Sequence, residues 1–374
     1  MRPEQWQVFK LAAKGKLPGE VLVALIVDSP WIPEYTGVSH LDYYVDPETW
    51  FQVNLRIERE FPEVIFLPSW WVEYGMAIEP SALGSRIQFW ADQPPAQGPV
   101  LARLEDIERF PPVNPSTDGL MALALQRYRM QKARILDAGQ TIPLATARGP
   151  LCLAAFLRGV TQFMMDLIED PEGTHRLLEF ATRTVIDWLE AQAKAIGDTV
   201  EGIFVLDDIP GMLSKRQYLE FAHPYLRRIC AAFPPDWVKV YHNDANVRPF
   251  LSDLAGAGFD VLNWTHNVDI REAREKLGDG MCLMGNVSPL DVGVRGTPDR
   301  VREAALEVLA KSGGKGVILS VGGGVSPGMP RENILALVEA ARVFNAGAPQ
   351  VIVKSHGRLD PVGVREMNHE TAES

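Results

Sequence analysis

The sequence has little positive charge, which argues against a nucleic-acid partner. Its 374 residues include 37 lysines and arginines against 48 aspartates and glutamates, for a formal net charge of −11. Nucleic-acid binding draws much of its free energy from basic side chains that neutralise phosphates. No run of five or more basic residues occurs in the sequence. We therefore expect no nucleic-acid partner.

Long apolar runs and a cysteine framework are also missing. No stretch of about 18 apolar residues could span a bilayer, and the first twenty residues lack the apolar core of a signal peptide. Three cysteines, Cys152, Cys230 and Cys282, lie far apart and are odd in number. This is typical of reduced thiols rather than of disulfides. We expect a cytoplasmic protein that does not bind membranes.

What the sequence does contain is a regular alternation of short β-branched runs and longer amphipathic segments. The runs predict eight strands, at residues 21–27, 64–68, 142–147, 202–206, 237–241, 259–263, 281–285 and 316–320. Helical patterns separate them, and Pro47, Pro150 and Pro171 each open one at a first-turn position. This order predicts an α/β fold, a (β/α)8 TIM barrel with an N-terminal extension. We expect one barrel domain over residues 1–345 and a C-terminal tail over residues 346–374.

An open, doubly wound sheet is the alternative to the barrel. A glycine-rich phosphate loop after the first strand would favour that sheet. The one dense glycine run, "SVGGGVSPG", follows the last predicted strand instead. It matches neither of the common nucleotide-binding glycine patterns. The barrel is therefore the preferred prediction.

In a barrel, the active site lies at the C-terminal ends of the strands. The first three strands are followed or ended by Asp28, Trp31, Tyr35, Trp70, Tyr74 and Arg148. The later strands bring Asp207, Tyr241, His242, Asn243, Asp244, Asn263, Trp264 and Asn286. Acidic, amide, imidazole and aromatic groups are thus predicted to converge on one rim. The aromatic members would suit a flat aromatic substrate.

Each candidate also has a structural interpretation. His242 could merely close a strand, and Asp207 or Asp208 could cap a helix. Between these two aspartates, Asp207 is the preferred candidate for contact with substrate or metal. Trp70 and its neighbour Trp71 would point in opposite directions in an extended segment, so at most one can face the pocket.

Several segments resemble the uroporphyrinogen decarboxylase superfamily. They are "FVLDDIPGMLSKRQYLEFAHPYLRRI", "GFDVLNW", "LMGNVSPLDVGVRGTPDRV", "GVILSVGGGVSPGMPRENILALVEA" and "RGPLCLAAFLRGVTQFMMDLIEDPEGTHRLLEF". The resemblance extends over most of the predicted barrel. It implies a (β/α)8 barrel, in agreement with the strand count. The superfamily comprises porphyrinogen decarboxylases and methyltransferases that serve corrinoid proteins.

The motifs of the decarboxylase branch are altered here. After the first strand, that branch has "RQAGRY", whose arginines bind substrate carboxylates, whereas this chain has "DSPWIPEY". The branch's "FSDI" aspartate is replaced within "FLPSWW". A substrate with several carboxylates needs cations, and this rim offers chiefly Arg148. Decarboxylation of a uroporphyrinogen-like or other small carboxylate is therefore the less favoured function.

The methyltransferase branch implies a metal site that is only partly retained. That branch holds zinc with "HxC" after the fifth strand and the cysteine of "GCG" after the eighth. The corresponding residues here are His242 to Asp244 and the glycines of "GGG" at 322–324. The histidine remains and both cysteines are absent. A metal such as zinc would then be bound by His242, Asp244 and Asp207. These residues form an N/O ligand set that zinc accepts.

The resemblance thus implies a methyltransferase. We expect it to transfer a methyl group from a small methoxylated, aromatic compound to a corrinoid, either on a partner protein or as free cobalamin. His242 and Asp207 would be catalytic, and the other rim residues would bind substrate. Superfamily members also lead us to expect a homodimer. A barrel that binds a small molecule without catalysis is a further alternative.

Overall fold

The computed structural model describes residues 1–17 and 19–347. The last helix continues to Gly347. Of the predicted C-terminal tail, residues 348–374 lie outside the described residues, so the predicted tail stays a prediction.

Eight parallel strands form a single curved sheet. They are β1 (Val23–Ile26), β2 (Val64–Leu67), β3 (Leu144–Arg148), β4 (Gly202–Leu206), β5 (Val238–Asn243), β6 (Val261–Trp264), β7 (Cys282–Val287) and β8 (Val317–Val321). Their order is β2-β1-β8-β7-β6-β5-β4-β3. This cyclic order is that of a (β/α)8 barrel, and the barrel prediction is confirmed. No ladder joins β2 to β3 among the described residues.

The helices surround the sheet, except for the first, which lies at the N-terminal ends of the strands. They are α1 (Pro3–Ala13), α2 (Trp31–Thr36), α3 (His40–Val45), α4 (Pro47–Glu60), α5 (Ile78–Ser81), α6 (Gly119–Asp137), α7 (Pro150–Arg158), α8 (Val160–Glu169), α9 (Pro171–Ile196), α10 (Lys215–Gln217), α11 (His223–Ala232), α12 (Leu251–Leu254), α13 (Ile270–Leu277), α14 (Pro298–Ser312) and α15 (Arg331–Gly347). Short 3-10 or π turns connect several of them, and a small hairpin pairs Ile87–Gln88 with Ala96–Gln97.

Helix α1 closes the bottom of the barrel. Its Trp6 and Phe9 are buried in one cluster with inward-facing strand residues such as Phe204 and Val240. Lys10 Nζ lies 2.9 Å from Glu201, which directly precedes β4. The predicted N-terminal extension is thus a helix that fills the N-terminal ends of the strands. The opposite rim is left for the site.

The eight predicted strands are all present, and β4 has the predicted ends, whereas the others are shifted at one or both ends. The largest consequence is at β5, which runs through Asn243, so that His242 lies within the strand rather than after it. The helical segment that Pro150 opens is two helices, because Gly159 adopts φ +87° between α7 and α8.

The described residues contain no single helix that is long and apolar enough to cross a membrane. Helices α7 and α8 meet that criterion only when taken together, and they are bent by 103° relative to each other.

Candidate active site

Strand alternation determines which side chains reach the rim. Successive side chains of a strand point to opposite faces. In β4, Phe204 and Leu206 belong to the interior cluster, and Asp208 is the next residue of the same parity. In β5, Val240 belongs to that cluster, and His242 is the next residue of its parity. The same count brings Asp28, Arg148, Asp244, Asn263 and Asn286 to the interior rim.

Asn263 fixes the tautomer of His242. The Nδ2 group of Asn263 donates to the carbonyls of Met284, at 2.8 Å, and Val321, at 3.1 Å. Its Oδ1 is therefore the acceptor toward Nδ1 of His242, at 2.8 Å. Nδ1 must then carry a proton. This leaves Nε2 of His242 free to face the rim.

Two carboxylates flank this free nitrogen. Nε2 of His242 lies 3.7 Å from Oδ1 of Asp208 and 3.9 Å from Oδ2 of Asp244. We call these three residues the rim triad. The imidazole is buried, whereas Asp208 and Asp244 are 30% and 50% exposed. A lone pair that faces two carboxylates is unfavourable unless a proton or a cation lies between them.

The rim triad has the donor set of a divalent-cation site. One ligand atom from each residue lies within 4.8 Å of the others. Burial raises the pKa of Asp244, and a positive His242 beside it acts in the opposite direction. The nearest thiol, Cys152, accepts the backbone N–H of Asp208 at 3.3 Å. Burial raises the pKa of this thiol well above its ordinary value, so it does not supply a thiolate ligand.

The glycine run after β8 packs directly on the rim triad. Gly323 has φ +129°, and a Cβ at this position would lie 3.2 Å from the Cβ and Oδ2 atoms of Asp244. A Cβ at Gly322 would lie closer still to a neighbour, 2.5 Å from the backbone nitrogen of His266. The place where the resembling methyltransferases have a cysteine therefore adjoins the triad here, without a side chain.

A second group of charges lines a cavity beside the triad. This cavity has a volume of about 290 Å³ and is bordered by Asp28, Glu73 and Arg148. Burial and the neighbouring Asp28 raise the pKa of Glu73 to about 8. Ser29 donates its hydroxyl to Glu73 at 3.0 Å and its N–H to the other carboxyl oxygen. Burial also raises the pKa of Asp28, although Arg148 and His242 oppose this.

Asp207 lies on the outer face of β4, away from the rim triad. It is fully buried, and its carboxyl oxygens accept the N–H groups of Cys152, at 2.8 Å, and Leu151, at 3.2 Å. It thus caps the N-terminus of α7. Burial raises the pKa of Asp207 to about 7, against the effect of these hydrogen bonds. This placement does not support the predicted catalytic and metal-binding roles of Asp207. Asp208 instead lies beside His242 at the rim, where Asp207 was predicted to lie.

Three predicted aromatic contacts lie outside the rim. Trp31 is buried and donates to the carbonyl of Met329 at 3.1 Å. Tyr35 stacks on Trp31, with ring centroids 4.5 Å apart, and donates to Glu60 at 2.6 Å. Trp70 packs into the outer core between the strands and the helices. Their amphipathic rings serve the packing of helices, so the structure does not support substrate contacts for them.

Further predicted residues hold the strand ends together. Tyr241 Oη and Asn243 Nδ2 both donate to the carbonyl of Asp207, at 3.1 and 2.8 Å. Trp264 donates to the carbonyl of Val268 at 2.9 Å. These three side chains are fully buried on the outer face of the sheet. These side chains point to the face of the sheet opposite to that of His242, so they do not reach the rim.

Tyr74 and Asn286 are the remaining predicted substrate contacts, and both are buried. Tyr74 is buried beside Tyr44, with ring centroids 5.7 Å apart. Asn286 donates to the carbonyl of Val268 at 2.7 Å.

Two rim residues were not chosen as predicted substrate contacts. Trp71, rather than Trp70, belongs to the interior cluster and lies under the Arg148 guanidinium, 5.4 Å from its ring centroid. Glu73 is the second. Counting alternate residues would have identified Asp208, but it could not have chosen Trp71. The backbone breaks the alternation here, because Ser69 and Trp70 both have positive φ.

Comparison with known proteins places the chain in a family. Residues 32–344 match the uroporphyrinogen decarboxylase (URO-D) family. Uroporphyrinogen decarboxylase from Chlorobaculum parvum is 27% identical over 277 residues, 71% of this chain and 76% of that protein. The enzyme of the same name from Chloroherpeton thalassium is 27% identical over 83% of this chain and 88% of its own length. A solved methyltransferase structure from Methanosarcina mazei has a TM-score of 0.75 at 23% identity, covering 90% of this chain and 97% of its own.

Substitution of Asp207 should destabilise the folded protein more than substitution of its neighbour Asp208. Asp207→Ala removes a buried helix cap, and we expect a loss of about 2 kcal/mol in the free energy of unfolding. Asp208→Ala relieves crowding among carboxylates, and we expect a change within about 0.5 kcal/mol. Urea unfolding of both variants measures this. Equal destabilisation by the two substitutions would contradict the assigned orientations.

Glu73 should make the protein less stable as the pH rises. Its folded pKa of about 8 exceeds its ordinary value of 4.5, so the folded state keeps a proton that the unfolded chain releases between these values. The free energy of unfolding therefore falls across this window.

In Glu73→Gln, we expect this decline to be smaller by at least about 1 kcal/mol between pH 5 and 8.5. Urea unfolding at a series of pH values tests it. Glu332→Gln, an exposed position on α15, should leave the decline unchanged. A decline in Glu73→Gln as steep as in the wild type would rule out this assignment.

Proposed function

The chain belongs to the uroporphyrinogen decarboxylase (URO-D) family, and from this premise we propose that it is a methyltransferase. It would take the methyl group of a small methoxylated, aromatic compound and pass it to a corrinoid, on a partner protein or as free cobalamin. The observation that carries this proposal is the rim triad, which presents a free imidazole nitrogen between two carboxylates. The similarity of the fold to a methyltransferase from Methanosarcina mazei, with a TM-score of 0.75, supports it.

The proposed step breaks the bond between the ether oxygen and the methyl carbon. The electron pair of that bond stays on the oxygen, and the methyl carbon accepts a new pair from the reduced acceptor. The oxygen then carries a negative charge, and an unassisted phenolate leaves poorly. A proton or cation at the oxygen is therefore needed in the transition state.

The residues of the rim triad are placed to supply this positive charge. Asn263 holds the imidazole so that Nε2 of His242 points to the rim. A proton on Nε2 could be donated to the ether oxygen, while Asp208 and Asp244 would stabilise the imidazolium. If a divalent ion such as zinc is held instead by His242, Asp208 and Asp244, it would supply Lewis-acid polarisation of that oxygen.

Decarboxylation is the second candidate, because relatives such as the Chlorobaculum parvum protein are named uroporphyrinogen decarboxylases. The acidic side chains of the site disfavour a substrate with many carboxylates. Asp28, Glu73 and Arg148 line the cavity, and Asp208 and Asp244 lie at the triad. Several substrate carboxylates would therefore meet mostly acidic side chains, with a single guanidinium to bind them.

His242 should be essential for methyl transfer. We expect His242→Ala to lower kcat/KM about a hundredfold, equivalent to about 3 kcal/mol of transition-state stabilisation. His175→Ala, on α9, removes a histidine that hydrogen-bonds Tyr225, and it should keep the wild-type rate.

The assay combines a panel of methoxylated aromatic compounds with Co(I) cobalamin and records both methylcobalamin and carbon dioxide. Methylcobalamin that depends on His242 is the expected outcome. Release of carbon dioxide without methylcobalamin would reject the methyltransferase proposal in favour of the decarboxylase. Circular dichroism of His242→Ala separates a lost function from a lost fold.

A further inference from the structure

Arg148 is a buried cation that forms no ion pair among the described residues. Its side chain is only 6% exposed, and its Nη2 group donates to the carbonyl of Gly75 at a long 3.4 Å. Its Nε group has no partner. Among the described residues, no carboxylate oxygen lies within 4.0 Å of the guanidinium, since Arg148 forms none of the ion pairs found there. Buried charges in proteins are normally paired, because an unpaired one is costly.

The guanidinium borders a cavity that can admit a ligand. The volume of about 290 Å³ at Arg148 exceeds the ~150 Å³ that suffices for benzene in an engineered protein cavity. Met76, Pro94 and Pro95 supply apolar walls. The cavity therefore has room for one substituted aromatic ring beside the charged group.

Arg148 lowers the pKa of Asp28, Glu73 and Glu79, but none of these carboxyl groups forms an ion pair with it among the described residues. Glu73 is held by Ser29 through two hydrogen bonds, and it carries a proton near neutral pH because its pKa is about 8. A protonated carboxyl can donate a hydrogen bond to an anion. Asp28 lines the cavity, and both Arg148 and His242 lower its pKa.

Arg127 is a second buried arginine with which Arg148 can be compared. It lies over the rings of Trp50, at 5.9 Å, and Tyr74, at 5.8 Å. It also donates to the carbonyl of Tyr44. Arg127 does not border the cavity at Arg148. Both guanidinium groups thus have an aromatic face, a carbonyl acceptor and one buried nitrogen without a partner. Of the two, Arg148 is the one that borders the cavity.

We propose that the methyl donor is a methoxylated aromatic acid whose carboxylate binds the guanidinium of Arg148 in this cavity. The methoxy group of the same molecule lies at the rim triad. A guanidinium pairs with a carboxylate through parallel hydrogen bonds, and one guanidinium matches one carboxylate. This inference rests on the proposed methyl transfer, and it narrows the donor to an anionic class.

Calorimetric binding in the absence of any methyl acceptor tests the inference. The ligands are a methoxybenzoate, the uncharged methoxybenzamide of the same substitution pattern, and the corresponding methoxybenzylamine. We expect the wild type to bind the acid at least about tenfold more tightly than either other ligand. Equal affinities, a preference for the amine, or no binding of the acid at millimolar concentration would overturn the inference.

Substitutions test whether Arg148 causes the preference for the acid. Arg148→Met should abolish the tenfold preference for the acid, and Arg148→Lys should retain part of it. Arg127→Met is the matched control, which removes a buried guanidinium elsewhere and should leave the preference intact. Thermal melting reports whether each variant is folded. A preference for the acid that survives in folded Arg148→Met would overturn the assignment. The wild-type comparison of the acid with the amide tests the inference without any variant.

A parallel assay of methylcobalamin separates this inference from the function on which it rests. If the acid and the amide give the same kcat/KM for methyl transfer, the carboxylate site is wrong and methyl transfer stands. If the acid binds with a preference that depends on Arg148 and no methylcobalamin forms from any ligand, the carboxylate site stands and methyl transfer is wrong.

Discussion

The alternation of side chains along parallel strands is the constraint on which the site depends. Only every second residue of a barrel strand reaches the interior. At the bottom, helix α1 fills that interior with Trp6 and Phe9. At the top, the same parity delivers His242 and Asp208 to the rim. The residues of opposite parity, such as Asp207, are packed against the helices and stabilise the fold.

Hydrogen-bond satisfaction separates structural polar groups from candidate functional ones. Asp207 is buried, and both of its carboxyl oxygens accept backbone N–H groups at the start of α7. Asn263 similarly uses its amide fully, in three hydrogen bonds. Nε2 of His242 and Nε of Arg148 instead lack hydrogen bonds within the described residues. Proteins leave few buried polar atoms unpaired, and His242 faces the rim while Arg148 borders the cavity, so these two side chains mark where a ligand is expected.

Much of the fold, and less of the site, can be predicted from the sequence. The eight strands follow from β-branched runs between amphipathic segments, and the barrel rule correctly directs attention to the strand ends. The choice between Asp207 and Asp208 required the register of β4, which a one-residue shift reverses. The positive φ values of Ser69 and Trp70 are not encoded in any simple pattern. The aromatic residues were ambiguous because packing and substrate binding both favour large rings.

The central claim is that Asn263 fixes the imidazole of His242 so that Nε2 faces the site. The most direct measurement is ¹H–¹⁵N NMR of the protein labelled at histidine, recorded with and without zinc. The account predicts that neutral His242 carries its proton on Nδ1 and that zinc shifts the resonance of Nε2. A proton on Nε2 of the neutral ring, or a zinc-induced shift confined to Nδ1, would contradict it.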